Sequence, residues 1–319
     1  MPNDPIPEHL ESLRFDGLAP GPRLLILGAV HGNETCGPQA IHAAVAAIRS
    51  GETLIERGSV TFVPVANPLA FNRNSREGDR NLNRDLHEKP LPRDFEDRIG
   101  NRLIPLIRAH DALLDIHSFK GEGPPFAFFG PEDNAGPLEP FAHAGAEAAF
   151  AACLGVGVLI HGWLGIHAQL IAARTRLGLP PLSPTEGFGT TEFMRFAGGY
   201  GATLECGRHD DPAAVGVASR AIRAVLAHMG IAPGPAPAAP AKRVIELTRP
   251  VICEAAGDRL DGDWRNADPV PPGAVVARRA DGAPVAVAEG GFIVFPNPAA
   301  APGEAICHLG RESPRRIGG

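Results

Sequence analysis

The first clear element in the pattern of apolar and polar positions is Arg23–Val30 (RLLILGAV), an apolar run that ends in a glycine-containing turn. An unbroken run of this kind, rather than an alternating one, suits a strand buried on both faces of a sheet. Pro38–Arg49 follows with Ile41, Val45 and Ile48 at helical spacing and a proline where the first turn tolerates one. Ser59–Ala66 predicts a second strand, Asp94–Ala109 a helix, and Ala112–Ile116 (ALLDI) a third strand. Strand and helix in alternation describe an α/β fold, a mostly parallel or mixed sheet with helices on its faces. Pro125–Phe129, a helix over Leu138–Cys153, a strand at Ala202–Cys206 and a closing helix over Pro212–His228 extend it.

Two stretches change that picture. Ala148–Ala173 carries no Asp, Glu, Lys or Arg, yet Gly155, Gly157, Gly162 and Gly165 cut it, and His161, His167 and Gln169 lie within it. A bilayer span needs about 20 apolar residues in one run. This stretch therefore reads as a helix end, a buried strand at Val156–Ile160, a turn and another helix, with no membrane association. Ala232–Ala241 (APGPAPAAPA) is proline-rich and uncharged, the composition of a stiff linker. Beyond it VIELT, VICEA, AVVARR, PVAVAE and FIVF alternate with Gly, Pro and Asp, as in a small all-β unit. The expected organisation is a domain over residues 1–230, a linker over 231–242 and an all-β domain over 243–319.

Charge and cysteine usage narrow the class further. With 30 basic and 36 acidic residues in 319, the net charge is −6, which disfavours nucleic acid and anionic membranes as partners. The odd count of 5 cysteines, widely spaced and without a C-x-x-C, argues against a disulfide framework or a zinc ribbon. The first twenty residues contain no apolar core of a secretory signal, so a cytoplasmic protein is expected. The sequence leaves a homo-oligomer open.

The candidate chemistry gathers at predicted strand ends, where open α/β sheets collect functional groups. His31 and Glu34, in GAVHGNETCG directly after the first strand, are spaced to converge on one point, although an isolated H-x-x-E is more often an ordinary loop. Asp115 and His117 close ALLDIHS on one side of their strand, because strand periodicity is two. His, Glu and His would form the ligand set of a hydrolytic zinc, with Asp115 holding the far nitrogen of His117 or of His31. Asn67–Arg84 concentrates arginines in an otherwise acidic chain. Arg73 and Arg80 read as solvated, and Arg76, Asn83 and Arg84 as an anion-binding group. Glu205 lies in the short apolar strand TLECG, where an ionised carboxylate needs a reason, either as a general base or in a buried ion pair.

HGNE, then N-P…R…N-R, then DIH, then a late strand with Glu resemble the succinylglutamate desuccinylase/aspartoacylase family, relatives of the zinc carboxypeptidases. The motif order covers about residues 23–230, and a trailing β domain fits too. The resemblance implies one zinc ion held by His31, Glu34 and His117, and Glu205 as the carboxylate that activates water. It further implies Arg76 at the developing oxyanion, and Asn83 with Arg84 gripping the carboxylate of a small anionic N-acyl amino acid. The activity it implies is amide hydrolysis to a carboxylate and a free amino acid, with the β domain capping the cleft. Family members acting on acidic substrates use a further arginine before the catalytic Glu and a tyrosine from the C-terminal domain. Arg195 is the candidate for the arginine, but residues 243–319 contain no Tyr. The alternatives are a carboxypeptidase-like peptidase on the same metal site, or a catalytically silent metal- or ligand-binding relative. The remaining polar residues receive structural readings: His161 and His167 hydrogen-bonded, His42 and His110 facing solvent, Cys36 and Cys206 small buried fillers. Glu186 and Glu192 fall in a mobile loop.

Overall fold

The structure, a computed structural model, describes residues 9–234 and 243–317. Most of the expected linker, residues 235–242, lies outside the described residues. The first half contains β1 (Leu13–Asp16), β2 (Ala19–Gly28), α1 (Cys36–Arg49), β3 (Arg57–Val63), α2 (Pro68–Asn72), α3 (Phe95–Arg108) and β4 (Ala112–Phe119). Then come β5 (Phe126–Phe128), α4 (Ala144–Cys153), β6 (Val158–His161), α5 (Trp163–Arg176), α6 (Thr190–Phe196), β7 (Tyr200–Arg208) and α7 (Ala213–His228). The C-terminal part is all strand: β8 (Arg243–Ile252), β9 (Arg259–Leu260), β10 (Pro269–Val270), β11 (Val275–Arg278), β12 (Pro284–Ala286), β13 (Gly291–Val294) and β14 (Ala305–Glu312).

Eleven strands form one sheet in the order β1-β3-β2-β4-β7-β5-β6-β8-β14-β13-β10. The centre, β3-β2-β4-β7, is parallel, whereas β5 runs antiparallel to β7. This mixed α/β sheet flanked by helices, with a small extra β-sheet, is the expected fold class. The faces separate as the strand period requires. Leu24, Ile26, Leu114, Ile116, Ala202 and Leu204 point to the face covered by α1, α4 and α7. Leu25, Leu27 and Leu113 point to the other, covered by α3 and α6. Each such side chain contributes about 1.5–3 kcal/mol by leaving water, so the register of the central strands is strongly specified. That second face also carries Asp115, His117 and Glu205, at the carboxyl ends of β4 and β7.

The strands after the linker do not stand apart. β8, β14, β13 and β10 continue the central sheet, with β6 pairing parallel to β8, and only β9, β11 and β12 form the separate three-stranded sheet. VIELT and the start of VICEA are one strand running through Pro250. Its missing N–H is tolerated because β6 covers β8 only from Arg243 to Glu246, leaving Pro250 on a free side. The C-terminal loop closes on the end of β4: the backbone N–H of Asn266 donates to the carbonyl of Glu122 at 2.8 Å. Gly123, at φ +140°, is pressed so closely that a Cβ would meet Asn266 Cβ at 2.7 Å.

Three local expectations need correction. His110 does not face solvent; it is buried, with Nδ1 2.6 Å from the carbonyl of Leu106 and Nε2 2.8 Å from Thr61 Oγ1. The helix expected from Leu138 begins only at Ala144, after Pro137 and Pro140. The segment read as a mobile loop holds α6, with Glu192 accepting the Gly189 N–H at 3.0 Å.

Burial, with Arg315 next in effect, holds the His161 imidazole down to about 4, and its Nε2 lies 2.8 Å from Ser313 Oγ. A histidine with a depressed folded value binds its proton in the unfolded chain first, so its contribution weakens as pH falls from 6.5 towards 4. Urea unfolding at pH 7 and pH 5 should therefore separate the native chain from His161→Asn. The native chain is expected to lose up to about 1.4 kcal/mol per pH unit more than the variant; parallel pH profiles would contradict the buried neutral ring.

Candidate metal centre and anion-binding loop

The turn between β2 and α1 delivers the first two ligand candidates. Ala29 takes the left-handed region at φ 46°, which turns the chain sharply out of the sheet. Gly32 then passes so near α2 that a Cβ would meet the carbonyl carbon of Ala70 at 2.0 Å, a position only glycine can hold. The Glu34 N–H donates to the His31 carbonyl at 3.1 Å, folding both side chains onto the end of β4.

There His31, Glu34 and His117 meet, all buried, with a donor atom from each within 4.8 Å of the others. His31 Nδ1 lies 2.9 Å from Glu34 Oε1, His117 Nδ1 lies 2.8 Å from Glu34 Oε2, and the two Nδ1 atoms are 3.2 Å apart. The far side of each ring faces an acceptor. His31 Nε2 lies 3.1 Å from the Asn81 carbonyl oxygen, which can only accept, so the proton belongs on Nε2. His117 Nε2 lies 2.9 Å from Asp115 Oδ2, an electrostatic contact without the alignment of a hydrogen bond; Asp115 serves His117 and not His31. Two imidazole nitrogens and a carboxylate thus converge in a dry site, a donor set that fits a divalent cation. Without that cation, burial pulls His31 down to about 4. Burial also opposes charge on His117, but Asp115 and Glu34 outweigh it and push that ring well above its ordinary value. Burial alone would raise Glu34, yet the two imidazoles hold its carboxyl well below the usual range.

Glu205 is the Cα partner of His117 across β4 and β7, so their side chains share one face about 4.8 Å apart at the backbone. It is 8% exposed, one of its oxygens is buried without a hydrogen-bond partner, and among the described residues it joins no ion pair. Burial, then the neighbouring Glu34, push its carboxyl up to about 8. The ion-pair reading of Glu205 is therefore set aside, and a proton-handling group beside the cluster remains. Cys36 and Cys206, buried alongside, are fillers as expected; the Cys36 thiol donates to the His117 carbonyl at 3.6 Å.

The arginine-rich loop is shaped by a residue that sequence reasoning did not single out. Glu96, fully buried at the start of α3, accepts from Asn67 Nδ2 at 2.9 Å and from the backbone N–H groups of Gly78, Asp79 and Arg80 at 3.0, 3.1 and 3.2 Å. Arg80 is not solvated as expected; it bridges Asp94 at 2.9 Å and Asp97 at 2.5 Å and fastens the loop to α3. Arg73, half exposed, only closes a local turn onto Gly78. So anchored, the loop sends Arg76, 48% exposed, to Glu34 Oε1 at 3.3 Å. Asn83 Oδ1 accepts from the Thr190 N–H at 2.9 Å, while Thr190 Oγ1 donates to Asp115 at 2.5 Å. The N-terminus of α6 thereby ties the loop to β4. Arg84 lies 5.2 Å above the Trp163 ring and, among the described residues, has no carboxylate partner. Burial holds it down to about 10, the condition of a cation that lacks its anion.

Arg195 does not belong to this group. It is 6% exposed, and its guanidinium donates to Glu139 and to Glu192, each at 2.7 Å, and to Glu147 at 3.4 Å. Every edge of the fork is taken by a carboxylate of the same chain, so it cannot grip a substrate. Burial, together with the neighbouring acids, pushes Glu139 up to about 7. The role expected for Arg195 in substrate binding is therefore withdrawn; the residue glues α6 to α4.

Residues 20–121 match the model of the succinylglutamate desuccinylase/aspartoacylase catalytic domain. No curated protein matches the chain. Among solved structures, the fold is similar to succinylglutamate desuccinylase/aspartoacylase from Rhodobacter sphaeroides, with a TM-score of 0.72 and 20% identity over 96% of this chain and 90% of that one. The product-bound ectoine utilization protein EutE (DoeB) from Ruegeria pomeroyi gives 0.69 and 22%, covering 94% and 88%. Succinylglutamate desuccinylase from Vibrio cholerae gives 0.70 and 19%, covering 94% and 85%.

The loop anchor is open to direct test. Glu96→Ala strands three backbone donors and should cost about 2–4 kcal/mol of stability, read from the urea midpoint, with Glu96→Gln recovering part. An Ala variant as stable as the native chain would mean that the loop is held elsewhere.

Proposed function

We propose that the chain, whose residues 20–121 match the succinylglutamate desuccinylase/aspartoacylase catalytic domain, is a zinc-dependent amidohydrolase of that family that cleaves an N-acyl amino acid to a carboxylate and a free amino acid. The family's members are hydrolytic deacylases of such substrates, which supports the reaction class. The observation that carries the reading is the meeting of two imidazole nitrogens and the Glu34 carboxylate beside Glu205, which among the described residues joins no ion pair. His31, Glu34 and His117 would hold the zinc. When bound, zinc supplies a Lewis acid that brings the pKa of water to about 7 and polarises a carbonyl.

The chain's own residues supply the rest. Glu205 takes the proton of the attacking water and returns it to the leaving amine, as a general base that becomes a general acid. An environment that favours its protonated form, through burial and Glu34, suits the second half of that cycle. Arg76, half exposed and already at the cluster, donates to the oxyanion that forms on the amide carbon. Asn83 and Arg84 orient the substrate by its carboxylate; Arg84 donates to the Asn83 carbonyl at 2.7 Å and is suited to this role because, among the described residues, it has no carboxylate partner. Asp115, held by Thr190, lies 2.9 Å from His117 Nε2 and keeps that ring in register. The peptidase alternative has no observation here that favours it.

Glu205→Gln should retain stoichiometric zinc and lose at least about a thousandfold in kcat on N-acyl amino acids. Metal analysis and a deacylation assay on the same preparation check this, and undiminished turnover would refute the assignment. Separately, His117→Ala should lose bound zinc together with activity. Treatment of the native enzyme with a chelator should abolish hydrolysis, and zinc should restore it.

A further inference from the structure

One strand beyond Glu205 the same face of the sheet becomes aromatic. Phe126 is the Cα partner of Glu205 across β5 and β7, so its ring stands beside the Glu205 carboxyl. From there rings touch in series. Phe126 meets Phe295 at a centroid distance of 5.6 Å, Phe295 meets Phe128 at 5.7 Å, and Phe128 meets Trp163 at 5.2 Å. Trp163 in turn meets His167 at 4.5 Å and His308 at 6.0 Å, and Arg84 lies over its face. The series thus joins the proposed general base to the proposed carboxylate anchor. Phe128, Trp163 and Phe295 remain partly open to solvent, while His167 and His308 are 5% and 8% exposed. Nδ1 of each imidazole is buried with no hydrogen-bond partner, a state that normally has a cause.

The electrostatics of this surface exclude charge of either sign. Burial, with Arg84 next in effect, disfavours charge on both rings, holding His308 down to about 4 and His167 well below its ordinary value. A second substrate carboxylate would be desolvated against neutral rings, since Arg84 is engaged by the first and Arg195 is consumed by its own carboxylates. An ammonium group would be driven off by Arg84. An uncharged ring would gain stacking and edge contacts, and a hydroxyl or ring N–H on it would satisfy an orphaned imidazole nitrogen.

Resting on the reading that this site hydrolyses N-acyl amino acids, we propose that the surface of Phe128, Trp163 and Phe295, with His167 and His308 at its base, binds the side chain of the amino-acid half of the substrate. That side chain is aromatic and uncharged, with a hydrogen-bonding group at its far end. The residues that set this specificity are Trp163, through ring contact, and His308, through its free nitrogen.

The test uses the zinc-loaded enzyme and its zinc-loaded Glu205→Gln variant against the N-acetyl derivatives of L-tyrosine, L-phenylalanine, L-aspartate, L-glutamate and L-lysine. Turnover by the native enzyme should favour the tyrosine derivative over the three charged ones by at least about tenfold in kcat/KM. Calorimetric titration of Glu205→Gln should give the same order of affinity. Trp163→Ala should erase the preference, and His308→Phe, which keeps the ring volume, should lower the tyrosine-to-phenylalanine ratio by about fivefold or more. Preference for aspartate or glutamate, or equal binding of all five, would overturn the specificity and leave the hydrolase reading standing. Binding of the tyrosine derivative to Glu205→Gln without hydrolysis by the native enzyme would overturn the hydrolase reading and leave the specificity standing. Binding of none of them would remove both.

Discussion

Three lone-pair donors forced together in a dry interior are the constraint from which the rest of this molecule follows. Two imidazole nitrogens and a carboxylate within 3.2 Å of one another need a positive charge among them, which the raised His117 ring supplies as a proton and a divalent cation would supply in its place. The fold spends several elements on keeping them there. A left-handed alanine and a glycine against α2 set the turn, Asn81 and Asp115 lie against the far nitrogens of the rings, and the Ser118 N–H donates to Glu34 at 3.1 Å. Each of these partners holds a ring or the carboxylate in place around the shared point. The arrangement is poor for an empty core and good for a doubly charged ion.

Much of this was legible because the strands that carry it are central. Runs such as LLIL and ALLDI are buried on both faces, so they announce themselves, and the period of two then assigns Asp115 and His117 to one side. His31, Glu34, His117 and Glu205 converge because they end neighbouring strands, a relation that follows from parallel order. What escaped were side chains whose roles depend on partners distant in sequence. Glu96 lies in a polar helix start, and nothing in its neighbourhood reveals that three N–H groups from a loop sixteen to eighteen residues earlier will point at it. His110 gave no sign of the Thr61 hydroxyl that receives it. Helix α6 was hidden by Gly187, Gly189 and paired threonines, whose low helical preference is overridden by Glu192 capping and by burial.

Arg195 illustrates the same limit from the other side. Its position ten residues before Glu205 suits a ligand arginine, and its chemistry is that of one. The three acids that claim it come from α4, from α6 and from the segment before α4, and only the tertiary structure brings them together. Arg84 is the counterexample: read in the sequence as part of an anion-binding group, it has no carboxylate partner among the described residues. Which guanidinium remains without a carboxylate is a property of the folded neighbourhood.

The pairing of β6 with β8 carries a consequence for how the molecule can move. Because the backbone ladder crosses from the helical half directly into the C-terminal strands, that half would end in a raw, four-residue parallel edge if the later strands were deleted. The C-terminal segment is thus a structural completion of the sheet and not a detachable lid. Separating the C-terminal strands from the helical half would have to tear the β6–β8 ladder first.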